Sequence, residues 1–153
     1  KRVSAYASSR IHAAIEVEDT LTCALEFQNG AFGTIQGSTA MWPGTAVRIW
    51  VGGEFGTAIS ENGLQQFKFK DERPSDKEWL DKLNPDRSKS TGGGASATDV
   101  PQEMHQSNIN AILSAWEAGR DAETAGPEAR KAVAIILAMY ESAKKNGVPI
   151  DVK

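Results

Sequence analysis

The sequence of 153 residues predicts an α+β domain with an open, predominantly antiparallel β-sheet and helices packed on one of its faces. Apolar residues alternate with period two over the first two thirds of the chain and with period 3.6 over the last third. The strand segments follow one another in hairpin order, without the intervening helices that a parallel nucleotide-binding sheet needs. Length favours a single domain over residues 1–153.

The first predicted strand is RVSAYAS, and the second, EDTLTCALEFQ, places four apolar residues on one face: Leu21, Cys23, Leu25 and Phe27. Asn29-Gly30 predicts a two-residue type I′ turn, after which AFGTIQGST returns antiparallel. TAVRIWV, FGTAIS and LQQFKF complete the sheet, with a turn at Glu61-Asn62-Gly63.

The two-residue turn sets the register of the first hairpin. It pairs Phe27 with Phe32 on a bulky face, where the helices are expected to pack. The opposite face has little side-chain bulk and carries Ala24, Gly33, Ile35 and Gly37. Such a surface lets a second sheet or another subunit approach closely, so this face is available for oligomerisation. The alternative is that the glycines permit a bulge or a stronger twist.

Three helices follow the strands. SDKEWLDKL is short, and its Ser75 and Glu78 have capping-box spacing. The second begins near Asp99 and Gln102 and carries an apolar stripe of Ile109, Ile112, Leu113 and Trp116. The third begins at Gly126-Pro127, is closed by Gly147, and is apolar nearly all round over 132–140, so we expect it to be covered on most sides. NPDRSKSTGGGASAT, which lies between the first two helices, favours a surface loop.

Composition excludes several classes of function. The net charge of −3 with mixed signs disfavours a nucleic-acid partner, and the longest apolar run is too short to cross a membrane. The single cysteine fits a reducing compartment, which favours the cytoplasm. The chain opens abruptly in a strand at a lysine, which suggests a piece of a longer protein.

A search for reaction motifs assigns no catalytic, cofactor-binding or metal-binding residue. HExxH, paired CxxC, G-x-S-x-G and G-x-G-x-x-G after a strand are absent from the sequence. GGGAS lacks the Gly-Lys-Ser/Thr ending of a phosphate loop. With two histidines and one cysteine, a metal site of imidazole or thiolate ligands is not expected.

Four residues are candidates for contact with a substrate: Arg10, His12, Trp42 and His105. Arg10 and His12 lie in a loop after the first strand, and they are either solvated or donors to an anion or a hydroxyl group. Trp42 either plugs the end of the core or stacks on a sugar ring. His105 is partly buried at the start of its helix, as a structural residue or facing a cleft. Trp50 and Trp116 are expected in the core, and the acidic cluster of Glu16, Glu18 and Asp19 is expected at a solvated edge.

Three blocks of sequence together resemble the C-terminal domain of the Gfo/Idh/MocA oxidoreductases, the family of glucose-fructose oxidoreductase and inositol dehydrogenase. They are VEDTLTCALEFQNGAFGTIQGSTAMWPGTAVRIWVGGEFGTAI, HQSNINAILSAWEAGR and GPEARKAVAIILAMYESAKKNGVPIDV. They follow one another in the family's order over nearly the whole chain, and only the stretch from about Asp71 to Val100 is generic.

The resemblance implies a two-domain enzyme that binds NAD or NADP in a separate Rossmann domain and transfers hydride to or from a sugar, inositol or related polyol. In such proteins the cofactor and catalytic motifs lie upstream of the residue that corresponds to Lys1, so no cofactor is expected in this chain alone. The implied role of this chain is to cover the substrate and to build a homodimer or homotetramer through the open sheet face. The alternative is a non-catalytic binding or assembly module with the same sheet.

Overall fold

The α+β class is confirmed by the computed structural model, which describes residues 1–61, 63–83 and 102–153, the side chains of 102–104 excepted. The elements in chain order are β1 (Arg2–Ser8), β2 (Thr20–Glu26), β3 (Phe32–Ser38), β4 (Arg48–Gly52), β5 (Gly56–Glu61), β6 (Leu64–Phe69), α1 (Pro74–Leu83), α2 (Gln102–Glu117), α3 (Gly126–Lys144) and β7 (Ile150–Asp151). All described strand pairs are antiparallel.

The strands of the described residues form two open sheets, where the sequence predicted one. The larger sheet has the order β3-β2-β1-β7, and the smaller has the order β4-β5-β6. The chain divides into two compact units, one of Lys1–Met41 with Gln106–Lys153 and the other of Trp42–His105. Each sheet therefore belongs to its own unit.

The core of the first unit lies between one face of the larger sheet and α3. Val3, Ala5 and Cys23 face Ala138 and Met139, and all five are buried. Ala5 pairs with Cys23 across β1 and β2, so both side chains point to the same face. Burial raises the pKa of the Cys23 thiol, which leaves this cysteine as an inert core residue.

Ser142 of α3 joins the helix to the edge of the larger sheet. Its side chain is fully buried; Oγ accepts a hydrogen bond from the Ala5 amide at 2.9 Å and donates one to the Val148 carbonyl at 2.7 Å. The short strand β7 pairs only with Arg2 and Val3 of β1. Ser142 therefore satisfies a backbone amide of β1 that lies beyond the end of β7.

The first hairpin has a three-residue loop, so the predicted type I′ turn is wrong. Gly30 donates to the Phe27 carbonyl at 3.1 Å, Phe27 donates to the Ala31 carbonyl at 2.9 Å, and Gly30 has φ 87°. This is a type I turn followed by a glycine in the left-handed region. The one extra loop residue shifts every pairing, so that Leu25 lies opposite Gly33 and Cys23 lies opposite Ile35.

The corrected register also changes which residues form the face that was predicted to have little side-chain bulk. Gly33, Ile35 and Gly37 share a face with Leu25 and Cys23, which is the face that packs α3. Ala24 pairs with Thr34 on the opposite face. The four residues expected to form one oligomer surface therefore lie on two faces of the sheet. Gly33 lies beneath Phe27, since a Cβ added there would be 3.2 Å from Phe27 Cε2.

The helices begin and end largely where their sequences indicate. α3 has Pro127 in its first turn, and Gly147, with φ 84°, donates to the Ser142 carbonyl at its end. At α1, Asp76 rather than Glu78 reaches back across the first turn and accepts from the Arg73 amide at 2.9 Å, because the helix begins at Pro74. Asp99 and the GGGAS stretch lie outside the described residues.

Several apolar side chains expected in the core are exposed. Trp50 is 70% exposed and Trp116 is 77% exposed, and the rest of the α2 stripe is also open to solvent. α3 is buried along one stripe, while Val133, Ile136 and Leu137 are exposed, so it is not covered on most sides. The reason is that one sheet face covers only one side of a helix that is apolar nearly all round.

Candidate functional site

The candidate site is the loop of residues 9–19 that joins β1 to β2 and carries Arg10 and His12. Asp19, only 3% exposed, closes this loop from its far end. Its Oδ2 accepts hydrogen bonds from the backbone amides of Ile11 at 2.7 Å and His12 at 3.0 Å. The backbone that carries Arg10 and His12 is therefore tied to one buried carboxylate.

The main chain of Asp19 extends the connection to two neighbouring segments. Its amide donates to the Ser8 carbonyl at the end of β1, and its carbonyl accepts from the Thr39 amide just after β3, both at 2.9 Å. The His12 ring approaches the same segment, with Nε2 at 3.3 Å from the Thr39 carbonyl oxygen. The loop and the end of β3 thus form one hydrogen-bonded cluster at one end of the larger sheet.

The Asp19 carboxylate is stabilised in its charged form. Hydrogen bonds from the amides of His12 and Ile11 lower the pKa of Asp19 below its usual value, with help from the Thr20 hydroxyl and the His12 ring. Burial acts in the opposite direction and is the weaker influence. Asp19 is therefore an anion at neutral pH.

Glu18 attaches the end of the loop to α3. Its Oε1 accepts a hydrogen bond from the Tyr140 hydroxyl at 2.8 Å, which raises the pKa of that tyrosine. The prediction that Glu16, Glu18 and Asp19 form a solvated edge is therefore wrong for the last two. Sequence periodicity contains no signal for these contacts, because they depend on which amides and which hydroxyl the fold directs at the two carboxylates.

The structure brings two of the four predicted contact residues together. Arg10 is exposed and His12 is partly buried on the same loop. Trp42 and His105 belong to the second unit. Trp42 is 94% exposed, so it does not plug the core, and His105 is exposed rather than partly buried. A role for any of the four in substrate binding stays a prediction.

The larger sheet has an open face on the side opposite α3. Its most exposed large side chains are Phe32, at 82%, and Tyr6. The other side chains of this face in the three long strands are short or polar: Ser4, Ser8, Thr20, Thr22, Ala24, Thr34, Gln36 and Ser38, with Arg2 and Glu26 at one end. Glu26 is paired there with Lys1 and Arg2.

Metal-binding clusters and membrane-spanning helices are both absent from the part of the chain that the structure describes. No group of three or more His, Cys, Asp or Glu side chains there could hold a metal ion. None of the helices there is long and apolar enough to cross a membrane.

The fold of the chain is similar to part of several solved dehydrogenases and oxidoreductases. The WlbA dehydrogenase from Bordetella pertussis, in complex with NADH and UDP-GlcNAcA, matches all of this chain with a TM-score of 0.74 and 24% identity over 40% of its own length. Levoglucosan dehydrogenase, in complex with NADH and levoglucosan, matches 99% of the chain with a TM-score of 0.72 and 18% identity over 44% of its length. An oxidoreductase from Agrobacterium radiobacter, in complex with NAD+, L-tartaric acid and magnesium, matches 99% with a TM-score of 0.69 and 22% identity over 43% of its length.

The family comparison agrees with the fold. Residues 1–59 match the family model of the GFO/IDH/MocA C-terminal domain. The resemblance seen in the sequence, to the C-terminal domain of Gfo/Idh/MocA oxidoreductases, is confirmed. The chain spans about two fifths of the length of the solved structures that it matches. A search of the curated proteins found no significant match.

Proposed function

We propose that this chain is the substrate-covering and oligomerisation domain of an NAD(P)-dependent oxidoreductase that transfers hydride to or from a sugar, inositol or related polyol. The observation that carries the proposal is the match of the chain, over its whole length, to dehydrogenases solved with NADH and sugar ligands. The lone cysteine, Cys23, is buried and free, which fits a protein of the cytoplasm.

The described residues do not fit the dinucleotide itself. Both sheets are antiparallel, and among these residues no strand–helix–strand unit directs a helix N-terminus at a pyrophosphate. We therefore propose that the cofactor is bound by another domain of the enzyme. What this chain supplies is a surface for the substrate and a surface for a second subunit.

The proposed substrate surface is the β1–β2 loop. The Arg10 guanidinium is exposed and offers several N–H donors, while His12 offers a ring nitrogen beside it in the chain. Hydroxyl and carboxylate oxygens of a sugar or polyol accept such hydrogen bonds, and a charged donor strengthens them. The loop can hold and orient a substrate without taking part in the hydride transfer.

The test is steady-state kinetics of the protein that carries this chain, with NAD and NADP and a panel of sugars, inositols and sugar acids. We expect Arg10→Ala to raise KM by about tenfold or more, with kcat nearly unchanged, because a charge-assisted hydrogen bond is lost. Arg130→Ala, which removes an exposed arginine of α3, is the matched control. Equal KM values for the two variants would contradict the role of the loop.

The proposed oligomer surface is the open face of the larger sheet. Short polar side chains and Ala24 leave the backbone approachable, and the exposed rings of Phe32 and Tyr6 offer apolar area. A second copy that packs its own open face here buries these rings and forms a two-fold interface.

Sedimentation velocity of two arginine variants tests this surface. Ala24→Arg adds a charge to the open face and is expected to shift the protein to a lighter species. Gly37→Arg adds the same side chain to the α3 face, where a Cβ meets no atom within 4 Å, so the mass should not change. An unchanged mass for Ala24→Arg would exclude the open face as the contact surface. Dissociation by Gly37→Arg alone would place the contact on the α3 face.

The second candidate function is a non-catalytic binding or assembly module. The observation that favours it is that the described residues offer neither a dinucleotide cradle nor a metal cluster. A self-associating protein without nicotinamide-dependent turnover on any substrate of the panel would support this alternative. Turnover with one of them would exclude it.

A further inference from the structure

We propose that Asp19 is a positioning residue, which holds the β1–β2 loop in one conformation and thereby fixes where Arg10 and His12 are presented. The inference rests on the proposed function for its consequence, since the loop is there the substrate surface. That Asp19 holds the loop is supported by its hydrogen bonds to the loop backbone alone, whatever the loop binds.

The loop depends on Asp19 because little else holds its first half. The amides that bond to Asp19 Oδ2 belong to Ile11, which directly follows Arg10, and to His12 itself. Among the described residues, the one further backbone hydrogen bond of this half runs from the Ile15 amide to the His12 carbonyl and closes a turn within the loop, and the His12 ring approaches the Thr39 carbonyl. The Asp19 side chain thus anchors the backbone within the Arg10–His12 segment, through the Ile11 and His12 amides, to the start of β2.

The side chain of Asp19 acts separately from its main chain. The strand contacts to Ser8 and Thr39 are made by the Asp19 amide and carbonyl, which any residue at this position retains. Both loop contacts are made by a single carboxylate oxygen. A substitution of the side chain is therefore expected to release the loop and to leave the sheet in place.

The first experiment measures amide hydrogen exchange in this chain by NMR. In Asp19→Ala we expect the amides of Ile11 and His12 to exchange about tenfold to hundredfold faster, because two hydrogen bonds to a charged acceptor are lost. Asp19→Asn retains one acceptor oxygen in the same place and should restore part of the protection. Amides of the β1–β2 ladder are expected to keep their exchange rates in both variants.

Glu18→Gln is the matched control. It changes the neighbouring carboxylate, whose described contact is the Tyr140 hydroxyl rather than the loop, so the Ile11 and His12 amides should remain protected. Tryptic cleavage after Arg10 gives an independent readout, since it requires the Arg10–Ile11 segment to open. Asp19→Ala should be cut there faster than Glu18→Gln. Equal exchange and equal cleavage in Asp19→Ala and the unsubstituted chain would overturn the proposal.

The second experiment uses the kinetics of the protein that carries this chain. Asp19→Ala should raise KM by about as much as the combined Arg10→Ala, His12→Ala variant, with kcat retained, and should add little in that background, because it acts through these residues. A released loop with an unchanged KM would leave the positioning role standing and would contradict the proposed substrate surface. The two hypotheses therefore fail by different results.

Discussion

At the residue scale, Gly147 shows how narrowly one position is constrained. Its φ of 84° lies in the left-handed region, and a Cβ added there would be 2.4 Å from Cζ of Tyr6. The Ser4 hydroxyl also donates to its carbonyl. The turn after α3 therefore passes so close to β1 that only a residue without a side chain fits.

The corresponding prediction is that Gly147→Ala lowers the free energy of unfolding by about 2 kcal/mol or more. The left-handed backbone alone costs an L-residue roughly 1–2 kcal/mol, and the clash with the Tyr6 ring adds to that. Gly37→Ala is the control, because its Cβ meets open space in a strand; it should change stability by less than about 0.5 kcal/mol. Urea unfolding of both variants measures the difference in stability, and equal midpoints would contradict the claim that only glycine fits at position 147.

A second prediction concerns the titration of Tyr140. Its hydroxyl donates to Glu18, so its folded-state pKa is raised. The stability from this pair is therefore fully present below the pKa of tyrosine in the unfolded chain, about 10, and is lost as pH rises through the higher folded pKa. Glu18→Gln should lower the pKa of Tyr140, as followed by the chemical shifts of its labelled ring. An unchanged pKa would mean that the Glu18 contact does not persist in solution.

At the element scale, the hairpin and the helices show what sequence patterns can predict. The strands β1 to β6, their order along the chain and the ends of α3 followed from alternation, hairpin order, Gly126-Pro127 and Gly147, whereas β7 was not predicted. The register of the first hairpin did not, because a glycine in the left-handed region suits both a type I′ turn and the three-residue loop that forms. A difference of one loop residue then moved Gly33, Ile35 and Gly37 to the α3 face.

The candidate site was predicted only in part, for a similar reason. Side chains that can donate hydrogen bonds, on a loop after a strand, predicted Arg10 and His12 as contact residues. Asp19 was missed, because a carboxylate in an acidic run is usually solvated and only the fold directs two amides at it. Contacts between side chains and loop backbone have no period, so periodicity cannot reveal them.

The junction between α3 and β1 gives a prediction at this scale. Ser142→Ala should lower the free energy of unfolding by about 2–4 kcal/mol, because the Ala5 amide and the Val148 carbonyl both lose a buried partner. Ser114→Ala removes an exposed hydroxyl of α2 and should have an effect below about 0.5 kcal/mol. Thermal unfolding distinguishes the two, and a stability loss for Ser142→Ala no greater than that of the control would exclude the two Ser142 hydrogen bonds as a source of stability.

At the scale of the whole molecule, buried and exposed apolar side chains are unevenly distributed. The core of the first unit is small and consists of a few residues between α3 and the larger sheet. Large apolar side chains on α2, α3 and β4 remain open to solvent. Periodicity marked one apolar stripe on α2 and an apolar surface nearly all round α3, but it could not tell whether this chain itself supplies what would cover them.

This distribution predicts a contrast between two substitutions in the isolated chain. Trp116→Ser should change the free energy of unfolding by less than about 0.5 kcal/mol, since the indole is 77% exposed. Met139→Ala should cost about 2–4 kcal/mol, because that side chain is 6% exposed and packs in the core. Denaturant unfolding of both variants is the measurement. A large loss for Trp116→Ser would show that the indole is covered in solution, by this chain or by a second copy.

Ser142 also affects where a strand from another molecule can pair with the larger sheet. An amide that points outward from a sheet margin invites an extended segment of another molecule to hydrogen-bond there. On the β1 side, Ser142 Oγ already occupies the Ala5 amide, and β7 occupies the stretch before it. Among the described strands, only β2 pairs with β3, so its other margin is unoccupied. Within the larger sheet, strand addition is thus directed to the outer margin of β3, which disfavours the addition of strands at both margins of this sheet.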